Sequence, residues 1–417
     1  MTAITLTKDQ QSALDAFNMF LADPIETVFV LSGYSGTGKT TLIKTLLDQL
    51  PNYMKTAKLI NPDVKRYNIE LTATTNKAAE SFSFITGIPV KTIHSFLGLR
   101  VSTDFKTNVT TLIPSTQVQK EGYLLFIDEA SYIDKHLLQW IFKLTSKCKI
   151  VFMGDPAQLT PVKAQGTPVF DANFSGASLS QVVRQAEGNP IVDLSTKFRE
   201  TVNSGEFFKF VPDGHHIQYM DRDTFQTAIL TEFNRPDWKY QHSKVLAWTN
   251  KCVISYNHAI ADEVKGDPDF KEGDYAICNK FVTAGKKSIK TDQLVCITQI
   301  GPDTSEHGVV GNDVTVDYGS TFFFPKSLQA KNKLIKEARA QGLFNIVAKA
   351  ESQWIDLRAA YAQTIQKSQG STYDRVFIDL DDISKCNSGN TMARMLYVAV
   401  SRAKHQVYLT GDIYNEY

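Results

Sequence analysis

Short apolar runs that end in polar residues recur along the first half of the chain. Four of them are TVFVLSG, IELTATTNKAA, YLLFIDEAS and KIVFMGDPAQL, and segments with apolar residues at helical spacing lie between them. This alternation is typical of a parallel α/β layer, in which ligands bind beyond the carboxyl ends of the strands. The residues expected at that edge are 33–40, 75–77, 128–129 and 155–158.

The second half repeats this pattern. KVLAWTN, RVFIDL and QVYLTGD read as strands, and the polar loop YAQTIQKSQGST leads into RVFIDL. We therefore predict a second α/β domain of related architecture that lacks a glycine-rich loop of its own. The two domains are expected to comprise residues 1–180 and 181–417.

Two stretches depart from the alternating pattern. Residues 97–122 are polar, rich in threonine and weakly alternating, which predicts a hairpin inserted in the first domain. Residues from about 270 to 355 contain LVCITQI, DVTVDYG and STFFFP, followed by the charged amphipathic stretch LQAKNKLIKEARAQGLF. They predict a β-rich insertion in the second domain, with a helix whose charged face is solvated.

Composition narrows the class of protein only in part. A chain of 417 residues exceeds one ordinary core, so at least two domains are expected. We expect no secretory signal and no membrane-spanning segment, because the N-terminus lacks an apolar core and no apolar run approaches about 20 residues. Five scattered cysteines without a CxxC pair favour a reducing compartment. Because the net charge of the protein is only +1, we expect that any nucleic acid binds in a local groove.

The segment LSGYSGTGKTTL contains the strongest chemical signal. Gly33, Gly38, Lys39 and Thr40 form the pattern G-x-x-x-x-G-K-T directly after a predicted strand and before a predicted helix. Glycines let backbone N–H groups surround phosphate oxygens, the lysine reaches the β- and γ-phosphates, and the threonine hydroxyl binds Mg²⁺. The residues expected to bind a nucleoside triphosphate here are Gly33, Ser35, Gly36, Thr37, Gly38, Lys39, Thr40 and Thr41.

The strand YLLFID ends in two acidic residues, Asp128 and Glu129. Beside a phosphate-binding loop, Asp128 is expected to hold the Mg²⁺ shell, and Glu129 to orient and deprotonate the attacking water. A second acid at this place indicates hydrolysis of the triphosphate.

Taken in order, these stretches resemble the motifs of superfamily 1 helicases, in the 5′→3′ branch (1B) that includes the RecD and Pif1 groups. LTKDQQSAL is similar to the Q motif, GYSGTGKTT to motif I, ATTNKAA to motif Ia and TIHSFLGL to the element after it. LFIDEAS resembles motif II, GDPAQLTPV motif III, LSQVVRQ motif IV, AQTIQKSQGST motif V and LYVAVSRAK motif VI. The resemblance covers nearly the whole chain.

The resemblance implies two RecA-like parallel-sheet domains with ATP between them and single-stranded nucleic acid across both. Gln10 would read the adenine, and Gln158 would sense the γ-phosphate. Arg184 and Arg402 would act as arginine fingers. Residues 97–122 would be the strand-separating hairpin (domain 1B), and residues 270–355 an SH3-like domain (2B). The hairpin turn KTN has no aromatic residue, so the separating residue is not identified.

The resemblance also implies nucleic-acid contacts through short hydroxyl and amide side chains, which hold a backbone without reading its sequence. The candidates are Thr75, Asn76, Lys77, Thr92, His94, Trp248, Asn250, Thr364, Lys367, Ser368, Gln369 and Gly370. Trp248 is either a stacking platform or a core residue, and His94 either a strand contact or a structural histidine. A further acidic cluster, Asp379, Asp381 and Asp382, is expected to lie in a solvated loop.

The resulting hypothesis is an ATP- and Mg²⁺-dependent helicase that moves 5′→3′ on single-stranded DNA and unwinds duplex DNA. Two alternatives remain open: a motor that remodels RNA or displaces proteins, and a binding switch that hydrolyses ATP slowly. Expected partners are single-stranded DNA and its junctions with duplex, with single-strand-binding or replication proteins as candidates and no membrane. We expect a monomer in the cytoplasm, of a bacterial host if the gene is phage-encoded.

Overall fold

A computed structural model describes residues 6–63, 66–104, 109–115, 118–160, 166–181, 188–267, 269–285, 287–317 and 319–413. Within these residues the helices are α1 (Lys8–Ala22), α2 (Lys39–Ile60), α3 (Asn76–Thr86), α4 (Ile93–Leu97), α5 (Lys135–Leu144), α6 (Pro168–Asp171), α7 (Pro190–Ser204), α8 (Arg222–Phe233), α9 (Asn250–Lys265), α10 (Leu328–Ala340), α11 (Phe344–Ser352), α12 (Ile365–Ser368), α13 (Leu380–Ile383) and α14 (Gly389–Ser401). A 3₁₀ turn spans Ala130–Tyr132.

The strands, again within the described ranges, are β1 (Val28–Gly33), β2 (Asn68–Ala73), β3 (Lys91–Thr92), β4 (Leu99–Asp104), β5 (Val109–Pro114), β6 (Lys120–Glu121), β7 (Tyr123–Asp128), β8 (Thr145–Ser146), β9 (Lys149–Gly154), β10 (Ser175–Leu179), β11 (Ile217–Tyr219), β12 (Ser243–Ala247), β13 (Tyr275–Cys278), β14 (Val282–Ala284), β15 (Lys287–Ile289), β16 (Leu294–Glu306), β17 (Val309–Val316), β18 (Ser320–Pro325), β19 (Leu357–Ala359), β20 (Ala362–Thr364), β21 (Tyr373–Asp379) and β22 (Ala403–Thr410).

The first domain is built on a parallel sheet with the strand order β10-β1-β9-β7-β2-β3. Its four predicted apolar runs are β1, β2, β7 and β9, which confirms that part of the prediction. Alternate residues of β1 point to opposite faces: Phe29 packs with α1 and α2, whereas Val30 packs with α4 and α5. Covering both faces explains why the central strands β1, β7 and β9 are mostly apolar.

The second domain has a parallel sheet with the order β11-β22-β21-β12-β20. The runs predicted as strands are β12, β21 and β22. Helices α7 and α14 pack on one face around Phe198 and Leu396, and helices α8 and α9 pack on the other around Phe225 and Ile260. The fold class, two RecA-like α/β domains, is therefore confirmed.

Both predicted insertions contain β-structure. Strands β4 and β5 pair antiparallel from Leu99 opposite Pro114 to Asp104 opposite Val109, as expected for a hairpin. The predicted turn KTN lies outside the described residues. In the second insertion, an antiparallel sheet of order β18-β17-β16-β13-β19 has its own core, and α10 and α11 lie between β18 and β19 along the chain. Across the described ranges, every helix is too short or too polar to span a membrane.

Candidate active site

The phosphate loop connects β1 to α2 at the carboxyl edge of the first sheet. Gly36 and Gly38 have φ of 81° and 79°, in the left-handed region that side chains disfavour. A Cβ atom on Gly33 would lie 2.9 Å from Oγ1 of Thr37. The loop therefore depends on its glycines, and it directs the N-terminus of α2 toward its centre.

Lys39 is the first residue of α2 and turns back into the phosphate loop. Its ammonium group donates hydrogen bonds to the carbonyl oxygens of Gly33 and Tyr34, the latter at 3.0 Å. Thr37 Oγ1 donates to the same Tyr34 oxygen at 2.9 Å. The amine is thus placed where phosphate oxygens would compete for its protons.

Gln10 is buried against this loop. Its Nε2 donates to the Thr37 carbonyl oxygen at 3.2 Å, and its Oε1 accepts from the Thr7 amide at 3.1 Å in a capping box. Both ends of the amide therefore have partners inside the protein. These contacts hold the amide beside the phosphate loop, and each end keeps one further hydrogen-bonding position, so the reading of adenine by Gln10 stays a prediction.

The two acids at the end of β7 lie opposite the phosphate loop. Glu129 has φ of 55°, an uncommon value for a residue with a side chain. Asp128 accepts a hydrogen bond from the Glu129 amide at 2.8 Å. Burial, together with the charge of Asp128, raises the pKa of Glu129 to about 7, while Arg402 and Lys39 oppose that rise. Burial also raises the pKa of Asp128 above its usual value, and the nearby charge of Lys39 reduces that rise.

A cleft of about 360 Å³ lies between the two domains and contains most of the predicted nucleotide residues. Its walls include Ser35, Gly36, Gly38, Lys39, Thr40, Thr41, Asp128, Glu129, Gln158, Gly370, Ser371 and Arg402. The hydroxyl of Thr40 and the carboxylate of Asp128 are hard oxygen donors, and a divalent cation would offset the cost of burying that carboxylate. The residues therefore fit Mg²⁺.

Arg402 reaches this cleft from the second domain, where it follows α14. It is 4% exposed, and its guanidinium donates to the carbonyl oxygens of Val398 at 3.1 Å and Ser371 at 3.2 Å. Its Nη2 also donates to Oγ of Ser35 in the phosphate loop at 3.4 Å. The structure thus brings Arg402 to the phosphate loop. Arg184, the second predicted arginine finger, lies outside the described residues.

The loop 155–158 lies between the nucleotide cleft and the second domain. Gln158 is buried, and its Oε1 accepts a hydrogen bond from Nε2 of Gln369 at 3.0 Å. From α14, Nη1 of Arg394 donates to the carbonyl oxygens of Pro156 at 2.6 Å and Gln158 at 2.7 Å. The second domain therefore binds three groups of this loop, which are the carbonyl oxygens of Pro156 and Gln158 and the side-chain Oε1 of Gln158.

Sequence reasoning missed several residues that connect the domains. Arg394 is one of them; another is Tyr397, whose hydroxyl contacts Asp155 and Ser35. A signal was present: the two lie three residues apart on α14, so they share one face. The guanidinium of Arg199 lies 3.9 Å from the ring centre of Tyr34, a pair that no local pattern indicates.

Some nucleic-acid candidates lie together beside the cleft. Lys77, Asn250, Thr364 and Lys367 line one small pocket between the domains and the β-rich insertion. Lys77 Nζ donates to the Tyr373 hydroxyl at 3.5 Å, and Arg358, which the sequence did not reveal, donates to Oδ1 of Asn250 at 2.9 Å. Lys367 donates to Asn279 at 2.7 Å and forms an ion pair with Asp292 at 2.6 Å.

Other candidates have structural contacts. Ser368, Gln369 and Thr364 are buried: Ser368 Oγ donates to the Ile365 carbonyl oxygen, and Thr364 caps α12. Thr364 also lines the small pocket described above, and contact of these three residues with a strand stays a prediction. Gly370 lines the nucleotide cleft.

The remaining candidates are partly buried. Thr75 and Thr92 accept hydrogen bonds from backbone amides as the N-caps of α3 and α4, and Asn76 begins α3. Burial lowers the pKa of His94. Trp248 packs against the core of the second domain, which favours its core interpretation.

The acidic cluster after β21 is not a solvated loop. Asp379 and Asp382 are 4% and 1% exposed. Asp379 pairs with Arg222 at 2.8 Å, and Asp382 accepts from the amides of Trp248 and Thr249 at 2.8 and 2.7 Å. The expectation was therefore wrong for these two residues. In the described ranges, no group of three or more His, Cys, Asp or Glu side chains forms a metal site.

Comparison with known proteins agrees with this arrangement. Residues 5–222, slightly more than half of the chain, match the AAA domain family, and residues 359–410 match the UvrD-like helicase C-terminal domain. The chain is 26% identical to the ATP-dependent DNA helicase dda of Enterobacteria phage T4, over 98% of this chain and 100% of that protein. It is 22% identical to the RecBCD enzyme subunit RecD of Mycolicibacterium smegmatis, over 92% of this chain and 68% of that subunit.

Two solved structures share the fold. A structure concerned with DNA unwinding at forked duplex DNA by two coordinating Pif1 helicases has a TM-score of 0.53 and 18% identity, over 98% of this chain and 92% of that one. Pif1 helicase from Bacteroides in complex with ADP-AlF3 and single-stranded DNA has a TM-score of 0.51 and 17% identity, over 99% and 94% of the two chains.

Proposed function

Because the chain belongs to the AAA domain family and, within it, to the Pif1- and RecD-like helicases of superfamily 1B, we propose that it is an ATP-dependent DNA helicase. It translocates 5′→3′ on single-stranded DNA and unwinds duplex DNA. The observation that carries this proposal is the single cleft in which the phosphate loop of one domain meets Arg402 of the other.

In this proposal the cleft hydrolyses ATP. Lys39 and Arg402 neutralise charge on the transferring phosphoryl group from opposite sides. Glu129, at the end of β7, orients the attacking water and takes its proton. Thr40 and Asp128 hold Mg²⁺, which, when bound, supplies further positive charge at the phosphates. Gln158 lines the same cleft and is placed to respond to the γ-phosphate.

The same geometry explains how hydrolysis would produce movement. ATP contacts groups on both domains, so its γ-phosphate favours a closed cleft. Loss of phosphate removes that differential interaction, and the cleft opens. If each domain holds the strand with alternating affinity, one cycle advances the protein along it. The candidates for holding the strand are Thr75, Asn76, Lys77, Thr92, His94, Trp248, Asn250, Thr364, Lys367, Ser368, Gln369 and Gly370.

Relatives support the proposal that the substrate is DNA. The T4 protein, which aligns over its whole length, is an ATP-dependent DNA helicase. The Bacteroides Pif1 structure contains single-stranded DNA. Transfer of these properties to this chain is our proposal, and the 5′→3′ polarity follows from the branch of the superfamily.

Unwinding of duplexes with a 5′ or a 3′ single-stranded tail tests the proposal. We expect the 5′-tailed duplex to open in the presence of ATP and Mg²⁺, and Lys39→Ala to abolish opening. Opening of the 3′-tailed duplex alone would contradict the polarity. Hydrolysis that is stimulated by single-stranded DNA without unwinding would favour a protein-displacing motor. Stimulation by RNA alone would favour an RNA-remodelling motor, and hydrolysis that neither strand affects would favour a switch.

A further inference from the structure

Tyr397 joins three segments that belong to two domains. The side chain extends from α14 and is 2% exposed. Its hydroxyl accepts a hydrogen bond from the backbone amide of Ser35 in the phosphate loop at 2.9 Å. The same hydroxyl donates to Oδ2 of Asp155 at 2.5 Å. One oxygen atom therefore connects the phosphate loop, the 155–158 loop and the second domain.

The direction of these two hydrogen bonds is fixed. Burial and the neighbouring Asp155 raise the pKa of Tyr397 well above its usual range, so the hydroxyl keeps its proton. A tyrosine hydroxyl has one hydrogen to donate, and here a carboxylate receives it. The oxygen lone pairs are then available to the Ser35 amide. Phenylalanine would fill the same space and provide neither contact.

Tyr397 is also connected to the segment that resembles motif V. Helix α14 shares one hydrophobic core with Ile365 of α12. Directly after α12, Gln369 donates to Gln158 in the same loop that contains Asp155. A displacement of α12 would therefore reach both the 155–158 loop and α14, and Tyr397 is where these two segments meet the phosphate loop.

We propose that Tyr397 is a positioning residue that transmits the binding of single-stranded DNA to the phosphate loop through the Ser35 amide. The inference rests on the proposed ATPase function. Ser35 lies on the wall of the nucleotide cleft, and its Oγ is 3.4 Å from Nη2 of Arg402. A shift of Ser35 therefore changes the placement of the loop relative to the arginine that acts in turnover.

The variant Tyr397→Phe tests this inference in an ATPase assay with and without an unstructured single-stranded DNA. We expect the DNA-stimulated kcat to fall at least tenfold, a loss within the range for a hydrogen bond to a charged group. The DNA-free kcat and the KM for ATP should stay within threefold. The matched control is Tyr408→Phe, which removes a hydroxyl that donates to Gln406 on β22 at 3.0 Å; it should leave both rates unchanged.

Two results with Tyr397→Phe would overturn the inference. Equal losses of the basal and the stimulated rate would show that the hydroxyl is only structural, and unchanged stimulation would show that it does not act. If the unchanged protein itself shows no DNA-stimulated hydrolysis, the proposed function fails first, and that failure is distinguishable from either result.

The single variant Asp155→Asn adds a second test, which also applies if Tyr397→Phe does not fold, and a double-mutant cycle then compares the two residues. Asparagine keeps the size of the side chain and removes its charge, so Asp155→Asn alone should lower the stimulated kcat severalfold. Because both residues belong to one contact, the double variant should lose no more than twofold beyond Tyr397→Phe alone. Losses that multiply would contradict a shared role, and so would an Asp155→Asn variant with normal stimulation.

Discussion

Gln369 of the second domain donates a hydrogen bond from Nε2 to Oε1 of Gln158 in the first domain over 3.0 Å, and both side chains are buried. A neutral amide pair of this kind has no long-range charge attraction, so it forms only when the two loops are aligned. Gln158 lines the nucleotide cleft, and Gln369 follows α12. The pair therefore joins the two segments whose relative position a motor must control.

We expect Gln369→Leu to lower both stability and DNA stimulation. Leucine is similar in size but cannot donate, so it leaves the buried Oε1 of Gln158 unpaired, at a cost of about 1–3 kcal/mol in the free energy of unfolding. Urea denaturation measures this loss, and the DNA-stimulated ATPase rate should fall severalfold. The exposed Gln341, replaced by leucine, is the control. If the free energy of unfolding falls by the predicted amount while DNA stimulation stays normal, the coupling role is contradicted.

We expect Arg402→Ala to abolish turnover while ATP binding stays measurable. Removal of an arginine finger lowers kcat by a factor of about 10³ or more, because charge on the transferring phosphoryl group is left uncompensated. Single-turnover hydrolysis and equilibrium binding of ATPγS measure the two properties separately. The surface arginine Arg235, which pairs with Asp237 at 2.8 Å, serves as the control when changed to alanine. A rate within tenfold of the unchanged protein would refute the assigned role.

Alanine substitutions at Asp382 and at Asp381 should differ in how much they lower the free energy of unfolding. Asp382→Ala leaves the amides of Trp248 and Thr249 without their acceptor inside the protein, so we expect a loss of at least about 2 kcal/mol in the free energy of unfolding. Asp381 is largely exposed and pairs with Arg222, so Asp381→Ala should cost less than about 1 kcal/mol. Chemical denaturation of the two variants decides the matter; equal losses would mean that the buried network is not what holds this loop.

Lys244 predicts an unusual dependence of stability on pH. The side chain is 1% exposed, and its ammonium group donates to the Ala360 carbonyl oxygen. Burial, with the charge of Lys77, lowers its pKa from 10.5 to about 7. Between those values the unfolded chain binds a proton that the folded protein does not. The contribution of Lys244 to stability therefore increases as the pH rises from 7 toward 10.5.

Lys244→Met isolates this contribution. We expect the difference in unfolding free energy between the unchanged protein and this variant to shift in favour of the unchanged protein, by up to about 1.4 kcal/mol per pH unit between pH 7 and 10. Urea titrations at several pH values provide the measurement, and Lys336→Met on α10 is a surface control. A difference that is constant with pH would mean that Lys244 stays charged in the folded state.

The sequence predicted the elements that depend on local patterns. Strands buried on both faces read as apolar runs, and the residues of the phosphate loop are neighbours in the chain, so Lys39, Asp128 and Glu129 could be assigned to one edge. Contacts between the sheets could not be predicted in this way. Tyr397 lies 242 residues from Asp155, and their contact depends on how two separately folded layers pack together.

The burial of polar residues was the property that the sequence predicted least well. The segment TIQKSQGST reads as a polar loop, yet Ser368, at the end of the short helix α12, is buried, and the buried Gln369 after it lies between the domains. The acids after β21 read as solvated, although Asp382 binds the backbone of a neighbouring loop. In both places a hydrogen-bond partner distant in sequence offsets the cost of burial, and composition alone does not reveal such a partner.

The backbone of Glu129, with φ of 55°, has a consequence for the evolution of this chain. A left-handed conformation costs a residue with a side chain on the order of 1 kcal/mol, whereas glycine adopts it freely. A lineage selected for thermal resistance alone would therefore gain by replacing this acid with glycine, and would lose the residue that we propose as the proton acceptor in hydrolysis. Persistence of the acid at this position requires selection for turnover itself.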